Sequence, residues 1–239
     1  MSNLALTLNS LSRSLSLHEQ TYQALRFAIL SGDLKSGDRL VETQLAKALE
    51  VSRTPIREAI RQLQRENLIV SDANGGLRVV SLSVADAINL YDCRLGLEQL
   101  SVREACRHRS PLQLEQLERA VLQGESSADR PSHQLTDCQL LHIDHQFHRL
   151  LAECAHNPWL VSLLDQVFDQ MSLLRMRTIQ QNPQVLEIRQ EHRRIYEAVR
   201  EGDEDKGIRA IVEHLSASKE RVIREVEQID CQSIIPKEQ

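Results

Sequence analysis

The chain has 239 residues, 41% hydrophobic and 26% charged, with a formal net charge of -5. That hydrophobic share excludes wholesale disorder, the length suffices for two domains with proper cores, and no stretch approaches the ~18 uninterrupted apolar residues of a membrane span. Residues 1–80 carry ten Lys or Arg against eight Asp or Glu, a formal +2 that leaves -7 for the remainder, which excludes a non-specific basic coat and asks any nucleic-acid binding to use a focused patch.

The opening MSNLALTLNSLSRSLS has no charged start followed by a compact apolar core and cleavage site, so residues 1–15 read as a flexible arm rather than a signal peptide. Ser16 and Glu19 then form a capping-box pattern for a helix carrying Tyr22, Leu25, Ile29 and Leu30 on one side, and Gly32 stops it. A second short helix in VETQLAKALE supplies Leu45, Ala46 and Leu49. Only a tight turn at Val51 and Ser52 separates it from VSRTPIREAIRQLQRENLIV, which is helix-turn-helix spacing. In that third helix, at ~100° per residue, Ile56, Ala59, Ile60 and Leu63 share one arc while Arg53, Arg57, Arg61 and Arg65 occupy the arc beside it. Ser52 is the expected N-cap, with Pro55 in the first turn. Two strand-like runs, Leu68–Ser71 and Leu77–Ser81, flank Asn74, Gly75 and Gly76, a hairpin-turn sequence with Arg78 beside its tip. Three short helices and a hairpin make a winged helix-turn-helix at 16–82.

From Ser83 onward the punctuation is helical. Ser83 with Asp86 opens one helix, and Ser110–Pro111, Asn157–Pro158 and Asn182–Pro183 are three further cap-then-proline starts. Gly124 and Gly202 mark predicted ends, and ESSADRPSHQ the main internal loop. About six helices follow from this, as an all-α antiparallel bundle over 83–229 with a tail at 230–239. The five cysteines, Cys93, Cys106, Cys138, Cys154 and Cys231, are odd in number and lack CxxC spacing, so reduced, buried thiols in a cytoplasmic protein are expected.

Several polar residues of the bundle fall on inward arcs. Asp144 and His148 lie one turn apart within the arc of Phe147, Leu151 and Ala155, while His145, Arg149 and Glu153 fall outside it. His192 sits among Val185, Ile188, Ile195, Tyr196 and Val199; His214 shares a face with Ala210, Ala217 and Ser218, but Arg221 and Glu225 lie nearby, so the helical wheel alone leaves its direction open. A buried carboxylate is costly unless paired or bound to a cation, and three imidazoles beside it could hold a divalent metal: zinc, nickel or another borderline ion. Arg94 lies inward with Leu90, Leu97 and Ser101, and its guanidinium needs an anion. That anion is either Glu98, one turn on, or the carboxylate of a small effector. Arg175 and Arg177 read as a charged helix surface.

Two resemblances cover most of the chain. ILSGDLKSGDRLVETQLAKALEVSRTPIREAIRQLQRENLI with NGGLRVV closely resembles the DNA-binding domain of GntR-type bacterial transcription regulators. The resemblance implies operator contacts from Ser52, Arg53, Thr54 and Arg57 and from the wing glycines Gly75 and Gly76, with Arg53 and Arg57 best suited to base edges and Arg61, Arg65 and Arg78 to phosphates. LYDCRLGLEQLSVREA, DHQFHRLLAECAHNPWL and EHRRIYEAVREGDEDKGIRAIVEHL are similar to the FCD-type ligand-binding domain. In its metal-binding members the motif positions correspond to Asp144, His148, His192 and His214, and the likeness implies that Arg94 holds an effector carboxylate. His156 stands where a small residue, often glycine, precedes the asparagine, and Gly207 where alanine is usual.

The expectation is a soluble, homodimeric regulator with one divalent ion per chain, zinc first, binding double-stranded DNA at a roughly palindromic operator under control of a small carboxylate. A metal-dependent hydrolase fused to a DNA-binding domain is the rival from another class, disfavoured because no general base is identifiable and the carboxylate is consumed as a ligand. A metal-stabilised dimer module without an effector is the third reading.

Overall fold

A computed structural model of the chain describes residues 16–128, 137–182, 185 and 189–234; the arm at 1–15, residues 129–134 of the polar stretch, Pro183 and Ile188 lie outside the described residues. Ser16 accepts a hydrogen bond from the Glu19 amide at 3.1 Å and starts α1 (Leu17–Leu30), which ends at Gly32 with φ +81. α2 (Glu42–Ala48) and α3 (Arg53–Arg65) follow in helix-turn-helix order. Ser52 occupies the N-cap of α3 with extended backbone, but its hydroxyl makes no capping bond there, unlike the expectation from its residue type. β2 (Ile69–Ser71) and β3 (Leu77–Val79) pair antiparallel as expected. A third strand, β1 (Arg39–Leu40), adds to the other edge of β3. Its two residues are too short for any periodic signal, and the edge of β3 supplies what stabilises them.

The apolar arc of α3 is fully committed to a core. Ile56, Ala59, Ile60 and Leu63 are buried against Leu25, Ile29, Leu68 and Ile69, each Ile or Leu contributing roughly 1.5–3 kcal/mol on leaving water. That anchoring presents the opposite face of α3 outward.

Among the described residues, six α-helices form the second part: α4 (Val84–His108), α5 (Pro111–Ala128), α6 (Asp137–Cys154), α7 (Pro158–Gln181), α8 (Arg189–Glu201) and α9 (Glu204–Ile234). α4 runs along α9, α6 lies between α5 and α7, and α8 closes against α9. The start signals hold at Ser83, which makes a full capping box with Asp86, and at Asn157, whose side chain accepts from the Trp159 and Leu160 amides. Ser110 exchanges bonds with Gln113 in the same manner at the head of α5.

Two sequence expectations are corrected. Gly124 does not end α5; the helix continues to Ala128, held by Glu125 bonding Arg193 of α8 at 2.6 and 2.8 Å. Asn182 caps the C-terminus of α7; the expected start at Asn182–Pro183 runs into residues outside the described ones, and α8 is described from Arg189. The helix α9 runs through the first residues of the predicted tail, because its buried stripe continues through Val222 and Val226 and Asp230 meets Arg177 at 2.5 Å. Only Cys106 and Cys154 are buried, and burial pushes both thiols up to about 11; Cys93 and Cys231 are exposed.

The two departures from the usual pattern have backbone reasons. His156 adopts φ +51 just after α6, the left-handed conformation that favours glycine. At Gly207 a Cβ would lie 2.6 Å from Val102 Cγ1, so glycine lets α9 approach α4.

Candidate functional sites

The arginine face of α3 is where the sequence placed it. Ser52, Arg53, Thr54, Arg57, Arg61 and Arg65 are all exposed, beside a wing whose tip carries Gly75 and Gly76. The wing turn is built around Asp72, whose Oδ1 accepts from the Asn74 and Gly76 amides and whose Oδ2 accepts from Arg78 Nε at 3.1 Å. Gly75 takes φ +75, and a Cβ on Gly76 would sit 2.7 Å from Asp72 Oδ2. Both glycines are therefore required by the turn itself, whatever they touch. Glu42, at the first turn of α2, was missed in the sequence. Its Oε2 accepts from Arg53 Nη2 at 3.0 Å and Arg57 Nε at 2.8 Å, and those two bonds hold its carboxyl below the usual range. The pair of arginines is thus pre-oriented by one carboxylate, and only the tertiary packing of α2 on α3 reveals it.

In the helical part, α6 supplies Asp144 and His148, α8 His192 and α9 His214. All four are buried, and one ligand atom from each falls within 4.8 Å of all the others. His148 Nε2 lies 3.2 Å from His214 Nε2 and 3.7 Å from Asp144 Oδ1, and His192 Nε2 lies 3.3 Å from the same oxygen. Neither Asp144 Oδ1 nor His192 Nε2 has a hydrogen-bond partner. Phe147 stacks on the His192 ring at 4.1 Å and fixes its plane.

The far sides of these rings are held. Glu98 accepts His148 Nδ1 on Oε2 and Arg94 Nε on Oε1, the latter at 2.5 Å. His214 Nδ1 bonds Glu191 Oε2 at 2.8 Å, and Arg221 grips both oxygens of Glu191 at 3.1 Å. Two imidazoles thereby have Nδ1 engaged by a carboxylate and Nε2 turned to the centre, the arrangement that orients histidine toward a metal ion. Glu191 was not singled out in the sequence, although it directly precedes His192.

The electrostatics place two neutral imidazoles, His192 and His214, beside an ionised carboxylate. Burial lowers His192 to about 4 and His214 to about 3. Burial opposes ionisation of Asp144, but Arg175 and the adjacent His148 and His192 hold it well below the usual carboxylate range. Glu98, against the same burial, is brought to about 2 by His148 and Arg94. Arg175, expected on a charged surface, is buried and donates to Asp144 Oδ2. The signal was present: it lies one turn from both Met171 and Ile179, each fully buried. Arg177, by contrast, is only partly buried.

The donor set fits a borderline divalent cation. One carboxylate oxygen and three imidazole nitrogens converge, and two of these atoms are buried without a hydrogen-bond partner. Arg94 is the second anomaly: it is fully buried with Nε on Glu98, its guanidinium 4.6 Å from the Phe168 ring centre, and both Nη atoms without partners.

Residues 17–79 match the family of bacterial regulatory proteins known as GntR, and residues 89–217, just over half of the chain, match the FCD domain. The chain belongs to the GntR family and carries an FCD domain. This GntR-family chain is 32% identical over 197 residues to the HTH-type transcriptional regulator YdhC of Bacillus subtilis, spanning 82% of the chain and 87% of that protein. It is 29% identical over 146 residues to the Nta operon transcriptional regulator of Aminobacter aminovorans, spanning 61% and 67%. A putative GntR regulator from Rhodococcus sp. RHA1 shares the fold with a TM-score of 0.72 at 22% identity, over 88% of the chain and 99% of that structure. The family's members are transcription regulators rather than enzymes, and no helix among the described residues is long and apolar enough to cross a membrane.

Proposed function

We propose that this GntR/FCD regulator is metal-dependent and responds to a small carboxylate. Its metal centre is Asp144, His148, His192 and His214, with about one divalent ion per chain, zinc foremost and nickel as the next candidate. The observation that carries the reading is the pair of orphaned atoms, Asp144 Oδ1 and His192 Nε2, amid four buried donors. An isolated buried group of this kind costs about 1–3 kcal/mol, and a shared cation removes the cost. When bound, the ion supplies a Lewis-acidic centre with positions for ligand oxygens.

The effector is assigned to the free fork of Arg94. Two unpartnered Nη atoms on a fully buried guanidinium present the paired donors that a carboxylate accepts bidentately. Glu98 holds Nε and leaves that fork available.

On the DNA side, Arg53 and Arg57 reach base edges from the major groove, with Ser52, Thr54, Arg61 and the wing at Gly75 and Gly76 positioning the module on phosphates. Two copies related by a two-fold axis read a roughly palindromic operator in the cytoplasm, and effector binding shifts the population between operator-competent and incompetent spacings of their recognition helices.

The test is metal analysis of purified protein, followed by thermal melts with a panel of organic acids on wild type and Arg94→Ala. About one ion per chain and an acid-dependent rise in Tm that Arg94→Ala abolishes are expected. An unchanged ligand-induced shift in Arg94→Ala would remove the carboxylate role. The bond from Arg94 to Glu98 favours a second reading, a scaffold without effector, in which no acid shifts the wild type.

A further inference from the structure

Helix α7 touches both working parts of the molecule. On one side Arg175 holds Asp144. Five residues earlier, Gln170 Nε2 donates to the backbone carbonyl of Glu66 at 2.6 Å, and the neighbouring Asp169 pairs with Arg26 of α1. Glu66 is the C-cap of α3, the recognition helix. Its carboxylate accepts from the Tyr22 hydroxyl at 2.8 and 3.0 Å, with Arg26 Nε 3.8 Å away. The recognition helix therefore ends on the helix that grips the cluster.

The geometry is short and stiff. Five residues of α-helix rise about 7.5 Å, so Arg175 and Gln170 sit less than two turns apart. Leu173, between them, belongs to the same buried core as Ile29 and Ile60. A packed helix moves as a body, so a shift at Arg175 is carried to Gln170 rather than absorbed. Clefts of about 640 and 500 Å³ open beside the joint, both bounded by Glu66 and Asp169, and leave the polar contacts as its edge. An ion drawing charge onto Asp144 Oδ1 weakens the hold of Oδ2 on the Arg175 guanidinium.

We propose that Gln170 and Arg26 are positioning residues that couple occupancy of the Asp144 site to the recognition helix through α7. The proposal rests on the reading of Asp144 as a metal ligand. Hydrogen exchange on the full chain, metal-free and loaded with zinc alone, tests it. In wild type, zinc should change exchange of amides at 17–30 and 60–68 by about fivefold or more, the low end of measured coupling between sites. In Arg26→Gln/Gln170→Leu the same zinc stoichiometry and the same change within α6 to α9 should remain, while the change at 17–30 and 60–68 disappears. Gln170→Glu, nearly isosteric and without the donor, serves where the double variant fails to fold and should show a reduced change. Undiminished transmission in either variant overturns the coupling, as does zinc binding to wild type without any change in α1 and α3. Absence of zinc binding in wild type is a separate outcome, and it removes the metal reading and the coupling together.

Discussion

The two working surfaces of this regulator treat charge in opposite ways. On α3, Arg53 and Arg57 stand half in water and share one partly exposed carboxylate, Glu42, at 3.0 and 2.8 Å. In the bundle, Arg94, Glu98, Asp144, Arg175 and three histidines are buried together. Exposed pairs are screened and contribute about 0–1 kcal/mol, so the arginines can leave Glu42 for another anion at little cost. Buried ions lack that freedom, and removing one partner leaves the other stranded. The exposed pair is free to change partners, whereas the buried cluster holds Asp144 Oδ1, His192 Nε2 and both Arg94 Nη atoms without any.

That contrast can be broken most sharply at Asp144. Asp144→Ala leaves Arg175 buried without its carboxylate and should destabilise the helical domain by about 3–5 kcal/mol in denaturant melts of metal-free protein. A loss below about 1 kcal/mol would mean the cluster is wetter than its burial implies.

A smaller effect tests packing instead of charge. Gly207→Ala places a methyl against Val102 Cγ1 and should cost about 1–3 kcal/mol, recovered in large part by adding Val102→Ala. Additive losses in the double variant would show that the contact between α4 and α9 is not the cause.

On the DNA face, Arg53→Ala or Arg57→Ala should weaken operator binding by about 1–3 kcal/mol at fixed salt and relax sequence preference. Glu42→Gln marks the low end: denaturant melts should move by less than about 1 kcal/mol, as for any exposed pair. Equal operator affinity in wild type and the Arg53→Ala/Arg57→Ala double variant would remove α3 as the recognition helix.

How much of this was legible in the sequence follows the same divide. Periodicity exposes which side of a helix faces inward, so the arc of Ile56 and Ile60, the arginine stripe and the inward direction of Asp144, His148 and His192 could all be read. His214, beside Arg221 and Glu225, was ambiguous on the helical wheel; the structure buries it through the Glu191 to Arg221 pair that screens its outer edge. What stayed hidden depends on contacts between elements. Glu42 acts on α3 from α2, and Arg175 acts on α6 from α7. β1 exists only because β3 has a free edge. Gly124 looked like a stop because glycine is a poor helix former, and the Glu125 to Arg193 pair outweighs that local preference. For Arg94 the sequence posed a choice between Glu98 and an effector, yet a guanidinium has five donors and one bond to Glu98 spends only Nε.

The account stands on the buried donors acting as one cation site, and a calorimetric titration of metal-free protein with zinc examines that directly. Wild type should bind about one ion per chain, while His148→Ala/His192→Ala, keeping Asp144 and His214, should lose stoichiometric binding and the zinc-induced rise in Tm. Stoichiometric zinc binding in the double variant, with the same rise in Tm as wild type, would contradict it.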